Sequence, residues 1–269
     1  MANNQNKIFI VGALNRSGTN FLSDIVQLDA RFEPSPNIGE DYFLVYSDLL
    51  ETYCKQTTRH WGKSWREPNN TGSQDMIKAI GESLLSFSLN GSSCSQHVVF
   101  KTPRADNLSN FFKMFPELKV MLLVRDGRDT VDSFLKSFDN YSFIDVVKLW
   151  VKGVESILSF IEKCDAGSKN NVLLLKYEDI INGCPETVNK ICDFCSLDPI
   201  SVNINSIQDM PLRGSSVIRG GSKEVHWGLE SKPKDYALQG KWRSWPKFKK
   251  ILFNLIAGNT MKKLGYGKA

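Results

Sequence analysis

Arg16, Ser17, Gly18, Thr19 and Asn20 stand in the turn of a stretch, Lys7 to Asp29 (KIFIVGALNRSGTNFLSDIVQLD), whose three parts suit the capture of an anion. Lys7–Val11 is β-branched and apolar and reads as a strand. Gly12–Asn20 consists of small residues and one cation, Arg16. Phe21 to Leu28 has apolar residues at Phe21, Leu22, Ile25, Val26 and Leu28, which is helical spacing. A strand, turn and helix in that order aims backbone N–H groups at an anion, and the helix N-terminus adds partial positive charge. Ser17 and Thr19 offer hydroxyls, and Gly18 allows close backbone approach. Thr19 follows Gly18, so the Lys of a GxxxxGK[ST] nucleotide loop is absent. The turn therefore suits a phosphate-like group rather than an ordinary Mg-ATP γ-phosphate. A plain glycine turn before an α/β helix is the competing reading of this stretch taken alone.

Other charged residues follow apolar runs. Val98–Lys101 leads into Lys101-Thr102-Pro103-Arg104, Val120–Val124 into Arg125-Asp126-Gly127-Arg128-Asp129, and Val172–Leu175 into Lys176-Tyr177-Glu178-Asp179. Arg125 and Ser133, eight residues on, pair a guanidinium fork with a hydroxyl, a combination that holds a phosphate. The local alternative pairs Arg125 with Asp126 or Asp129. Glu40 and Asp41 close a Pro/Gly-rich loop, Arg31–Tyr46. Either is a candidate general base, and Asp41 also suits the N-cap of a following helix.

The elements that must position these residues alternate. Helical patterns cover Met76–Leu89, Phe111–Phe115, Thr130–Phe138, Ser142–Cys164, Pro185–Cys195 and Phe248–Leu264, between the apolar strand candidates. Continuous apolar strands separated by helices predict an α/β fold, with a parallel β-sheet flanked by helices on both faces. Ligands bind such sheets beyond the carboxyl ends of the strands, which gathers the Gly12–Asn20 turn, the 101–104 tip and the 125–128 tip on one edge. Residues 55–75 and 201–244 read as polar loops on the substrate side. Trp61 and Trp65 in the first either cover a ligand or pack beneath the loop.

With 269 residues the chain has room for one large domain, expected to span 1–269. A net charge of +5 without a Lys/Arg block gives no reason to expect nucleic acid, and fits a cofactor with several negative charges. The polar N-terminus shows no secretory signal, and no apolar run is long enough to span a membrane, so a cytoplasmic setting is expected. The six cysteines read as reduced thiols. Cys192 and Cys195 form a lone CxxC with no second pair or nearby His, so no metal is expected. His97 reads as structural, and His60 and His226 match no catalytic motif. Oligomeric state cannot be read.

NRSGTNFL, Asn15 to Leu22, resembles the 5′-phosphosulfate loop of sulfotransferases that use 3′-phosphoadenosine 5′-phosphosulfate (PAPS). VMLLVRDGRDTVDSFLKSF, Val120 to Phe138, resembles their 3′-phosphate motif. KTPR at 101–104 resembles the KDPR-type segment of the tyrosylprotein branch. Gly39-Glu40-Asp41 resembles that branch's Gly-Glu-Glu, at slightly longer spacing from the loop. The resemblance implies the P-loop-like sulfotransferase fold. It implies PAPS bound by Arg16, Ser17, Gly18, Thr19, Asn20, Phe21, Arg125 and Ser133. Tyr177 would lie on the adenine side, and Ser215 or Ser216, Arg219, Lys241 and Trp242 would close over the cofactor. Lys101 would stabilise the sulfuryl group, and Glu40 or Asp41 would be the base, with Glu40 favoured because Asp41 suits a helix cap. The activity so implied is sulfuryl transfer to a hydroxyl or amine of a small-molecule acceptor, a metabolite or natural product, with charge stabilised by Arg16, Lys101 and loop N–H groups and no metal. Carbohydrate or peptide sulfation is the alternative, and a P-loop small-molecule kinase a further one.

Overall fold

Five strands, β1 (Lys7–Gly12), β2 (Phe32–Pro34), β3 (His97–Thr102), β4 (Lys119–Val124) and β5 (Val172–Lys176), form one parallel sheet in the order β2-β3-β1-β4-β5. The structure is a computed structural model. It describes residues 6–61, 72–90, 97–202, 205, 207, 210, 215–219, 222–226 and 239–267, with backbone alone for 215–219 and 222–226. From β1 the chain runs to the edge strand β2 and back to β3, then crosses past β1 to β4 and β5. The β1 loop therefore opens at the point where strand order reverses, the usual crevice for a ligand in such sheets.

Alternation within the strands sorts their side chains between two layers. Phe9, Val11, Phe100, Leu122 and Val124 face one core, and Ile8, Ile10, Val99, Met121 and Leu123 face the other. Helix α1 (Thr19–Val26) covers the second face. On the first lie α2 (Ser47–Thr58), α3 (Ser73–Ser88), the short α4 (Phe111–Met114), α5 (Gly127–Ser137) and α6 (Phe143–Lys163). A turn of helix, α7 (Ala166–Lys169), precedes β5. Helices α8 (Tyr177–Ile181) and α9 (Pro185–Cys195) return to the second face, and α10 (Lys247–Lys263) packs on the first. Each buried Phe, Ile or Leu contributes roughly 1.5–3 kcal/mol to this two-sided burial. A two-stranded antiparallel ribbon, β6 (Ser215–Arg219) and β7 (Ser222–His226), stands apart from the main sheet.

The expected parallel sheet with helices on both faces is present. Local expectations differ at three places. Residues 201–244, read as a polar loop, contain the β6–β7 ribbon and a 3₁₀ turn at Lys241–Ser244. Phe32–Pro34 lies in a segment read as loop and is a short edge strand on β3. Three residues are too few to show periodicity, and Pro34 is tolerated because the strand is at the edge. Asp41 does not cap the next helix, because α2 starts at Ser47 with Tyr46 as its N-cap. Residues 42–46 make turns instead, and the Asp41 carboxylate accepts the Phe43 N–H within them.

The remaining sequence candidates occupy structural positions. His97 accepts the Asn6 N–H at Nδ1 and packs against Phe32. Cys192 and Cys195 are buried in α9, facing the Val202 carbonyl and the Met121 sulfur. Trp61 is exposed, and Trp65 lies outside the described residues.

Candidate active site

The turn after β1 is held by its own small residues. Ser17 Oγ donates to the Leu14 carbonyl at 2.6 Å and accepts the Leu14 N–H at 3.2 Å, closing a tight ring. Arg16 has φ 78°, which non-glycine residues adopt at a cost, usually where the site requires it. Gly18, at φ 101°, is the N-cap of α1. An added Cβ there would fall 2.4 Å from the Tyr177 ring, so only glycine fits on both counts. No side chain caps α1 and its first turn has no acid, so its N–H groups and dipole are available to an anion. The other wall is α6, where Gly153 lies against the Ala13 carbonyl. A Cβ at Gly153 would sit 1.8 Å from that oxygen, so the helix could not approach the loop.

The β4 tip meets this loop directly. Arg16 Nε donates to Ser133 Oγ at 3.0 Å, and Arg125 Nη1 donates to the Arg16 carbonyl at 3.1 Å. The Arg125 guanidinium lies over the Tyr177 ring, 4.6 Å from its centre, and Phe21 meets the same ring edge-on. Arg16, Gly18, Phe21, Arg125, Ser133 and Tyr177 thus form one cluster. Both aspartates read as local partners for Arg125 have other partners, although the Arg125 charge still acts on Asp129 and favours its ionised form. Asp126 caps α5 and forms a buried pair with Arg128, while Asp129 accepts the N–H groups of Gly240 and Lys241.

Lys101 reaches the loop from β3 and donates to Asn20 Oδ1. The second cation of that tip, Arg104, pairs with Asp106 instead. The Gly39–Asp41 segment lies against the same strand end, since the Asp41 N–H donates to the Lys101 carbonyl at 3.0 Å. The Tyr42 hydroxyl donates to Glu40 and hydrogen-bonds with Asn15, so the acidic pair is drawn over the turn. The two acids differ sharply. Glu40 is partly exposed and engaged by Tyr42. Asp41 is buried, its Oδ2 has no hydrogen-bond partner, and burial pushes its carboxyl up to about 7.

The late elements divide. Lys241 and Trp242 form a 3₁₀ turn tied to α5 by Asp129, and the Trp242 ring is occupied by the Arg128 guanidinium at 4.1 Å. Ser215, Ser216 and Arg219 lie in β6, and their side chains are outside what the structure describes. Among the described residues no group of three or more His, Cys, Asp or Glu is arranged to hold a metal ion.

Trp150, Gly153 and Glu178 also position the site; Glu178 stands in the charged run after Val172–Leu175 without an assigned role, and nothing marked the other two. Trp150 Nε1 donates to the Arg125 carbonyl, and Glu178 accepts the Asp126 N–H. In the sequence Trp150 is one more apolar position of a helix. Gly153 was legible only as a glycine interrupting an otherwise apolar helical pattern.

The profile described as Sulfotransferase family matches residues 7–200, most of the chain. The chain belongs to the sulfotransferase family, enzymes that transfer sulfate. Its curated relatives include protein-tyrosine sulfotransferase A of Caenorhabditis elegans, 22% identical over 203 residues, covering 72% of this chain and 51% of that protein. The protein-tyrosine sulfotransferase of Drosophila melanogaster is 24% identical, with 71% and 38% covered. The chain therefore spans about half of the length of the first relative and less of the second. Among solved structures, the sulfotransferase domain from the Synechococcus PCC 7002 olefin synthase superposes with a TM-score of 0.58 at 19% identity, covering 98% of this chain and 96% of the other. The sulfotransferase domain from the curacin biosynthetic pathway gives 0.54 at 16% identity, with 98% and 99% covered. These two likenesses show the fold.

Proposed function

We propose that this chain transfers a sulfuryl group from PAPS to a hydroxyl or amine of a small-molecule acceptor, a metabolite or natural product, releasing 3′-phosphoadenosine 5′-phosphate (PAP). One observation carries the donor assignment. Arg16 of the β1 turn and Ser133 of α5 are hydrogen-bonded at 3.0 Å, and Arg125 holds the Arg16 carbonyl. Two segments more than one hundred residues apart, resembling the 5′- and 3′-binding elements of one nucleotide, meet as that nucleotide would require. The residues fit it. The uncapped α1 N-terminus and Gly18 suit the 5′ end, Arg125 and Ser133 the 3′-phosphate, and the Phe21–Tyr177 ring pair the base.

PAPS supplies an already activated sulfuryl group, so the protein's task is alignment, proton removal and charge stabilisation. Asp41 takes the acceptor's proton. It fits that role better than Glu40, because its buried and unpartnered Oδ2 has a carboxyl raised to about 7, close to the ideal for a base at neutral pH. Glu40, hydrogen-bonded by Tyr42, orients the turn. Lys101, held by Asn20, and Arg16 would stabilise the negative charge that grows on the sulfuryl oxygens.

The small-molecule acceptor rests on the mixture of aromatic, acidic and basic residues in 40–65 and 206–227, of which 62–65, 206, 208–209, 211–214, 220–221 and 227 lie outside the described residues. A peptide tyrosine is the second reading, favoured by the names of the curated relatives. No described helix is long and apolar enough to cross a membrane, and the cytoplasmic setting remains part of this proposal. Calorimetric titration with PAP, ATP and ADP, without added metal, tests the donor. Tight binding of PAP alone supports it, whereas preference for ATP would favour the kinase alternative. Turnover of PAPS with small hydroxyl and amine acceptors, but not with a tyrosine peptide or a polysaccharide, supports the acceptor class, and the reverse pattern overturns it.

A further inference from the structure

The last described residues run across the tips of β4 and β5. Helix α10 ends at Lys263, and Gly265, at φ 75°, turns the chain. The Gly265 N–H returns to the Lys262 carbonyl and the Tyr266 N–H to the Met261 carbonyl, the paired bonds of a Schellman ending. This ending directs Tyr266 back into the fold. Its hydroxyl donates to Glu178 Oε2 at 2.6 Å, and the Lys176 ammonium lies over its ring at 5.1 Å. Glu178 Oε1 accepts the Asp126 N–H at 2.8 Å. That N–H belongs to the peptide joining Arg125 to Asp126, whose carbonyl is held by Trp150 Nε1. One residue further, Gly267 accepts from Arg128, which is locked to the α5 cap Asp126.

The peptide following Arg125 is therefore clamped at both its polar atoms, and one clamp depends on the chain's end. Burial raises the Glu178 carboxyl, and the bonds from Tyr266 and Asp126 pull it back, so both bonds favour the carboxylate that grips the peptide. Nothing else in the cofactor reading uses Tyr266.

We propose that the C-terminal tail, acting through Tyr266 and Glu178, is the positioning element of the Arg125 turn and sets the protein's affinity for 3′-phosphorylated nucleotides. The proposal rests on the reading of Arg125 as the 3′-phosphate ligand. Tyr266 touches neither nucleotide nor acceptor. It holds Glu178 in the rotamer that fixes the Arg125–Asp126 peptide, and so holds the guanidinium between Tyr177 and the β1 turn.

The test compares calorimetric binding of PAP and adenosine 5′-phosphate to the full chain and to Tyr266→Phe, which removes one hydroxyl and leaves the ring under Lys176. The expected result is a loss of roughly tenfold for PAP with adenosine 5′-phosphate changed less than twofold, the size of an ordinary coupling between sites. A Tyr266→Phe protein that melts earlier but keeps the wild-type ratio of the two affinities overturns the proposal, because the tyrosine would then be structural only. Wild-type protein that binds both nucleotides equally overturns the reading of Arg125 and the proposal with it. If Tyr266→Phe is too unstable to titrate, the same ratio is read in Glu178→Ala, expected to lose it, and Glu178→Gln, expected to keep it because its amide oxygen still accepts the Asp126 N–H. Equal ratios in that pair also overturn the proposal.

Discussion

The two halves of the strand-end edge are built on opposite rules. At the ends of β4 and β5 the acids are matched: Asp126 with Arg128, Asp129 with two backbone N–H groups, and Glu178 with Tyr266 and a peptide N–H. At the ends of β1 and β3 the chain leaves tension in place. Arg16 has a left-handed backbone, Asp41 buries an oxygen with no partner, and Thr102, the last residue of β3, buries its hydroxyl unpaired. A matched network costs little and moves little, which suits holding an invariant part of a cofactor. An unmatched buried carboxylate is unstable where it sits, which suits a group that must take a proton. On this reading the edge is divided into a grip and a reactive half.

The largest expected effect breaks the reactive half. Asp41→Asn should lower turnover by about 10² to 10⁴-fold with PAP affinity unchanged, as removal of a general base does. The same change should stabilise the protein. The Asp41 carboxyl titrates near 7 in the fold against an ordinary value of 3.8, so its burial favours folding while it is protonated and opposes folding once it ionises. The penalty grows as pH rises from 3.8 to about 7 and is then constant. Asp41→Asn should therefore melt higher than wild type at pH 8, by on the order of a few kcal/mol, and by less at pH 5. Turnover of wild type should fall about tenfold per pH unit below 7. If Glu40→Gln produces the kinetic loss and Asp41→Asn does not, the two acids exchange roles.

A smaller loss is expected in the grip. Arg125→Ala should weaken PAP by on the order of 100-fold, the value of a charge-assisted phosphate contact, while adenosine 5′-phosphosulfate, without the 3′-phosphate, changes little. Equal weakening of both would show that Arg125 supports the whole edge rather than one phosphate.

The smallest effect comes from a matched pair remote from the strand-end edge. Arg31 holds Asp29 beside the start of β2, and its hydrogen bond keeps the Asp29 carboxyl well below 3.8. That depression contributes stability above pH 3.8 and is lost as pH falls below it. Arg31→Ala should destabilise the protein only slightly at pH 7, because the guanidinium is half exposed, and the gap to wild type should close in acid. Kinetic constants should not change. A kinetic effect would mean that tension at the reactive half depends on packing across the whole sheet.

Local chemistry made much of this legible. The apolar runs at 7–11, 98–101, 120–124 and 172–175 became β1, β3, β4 and β5, the first three because a strand buried on both faces must be apolar throughout, while β5 is an edge strand with Leu174 exposed. RSGTN and the Arg125–Ser133 spacing stood out because close approach to a phosphate needs small residues, cations and hydroxyls in fixed order. Asp41 was misjudged for a physical reason. A carboxylate before an apolar run looks like a helix cap, and only the six-residue delay before α2 shows that it is not. Gly153 and Tyr266 act through contacts with Ala13 and Glu178, partners too far along the chain for spacing to register.

The sequence by itself determined the order of β1, β3, β4 and β5 and of the main helices among them, the parallel sheet and the residue types at those strand ends, since these follow from periodicity and from what each side chain can bond. Tertiary structure alone decided which of two adjacent acids lost its solvent, which aspartates were already taken, and that the chain's end reaches the turn after β4. Burial and long-range hydrogen bonding depend on the neighbours that folding brings, and those neighbours lie tens to more than a hundred residues away.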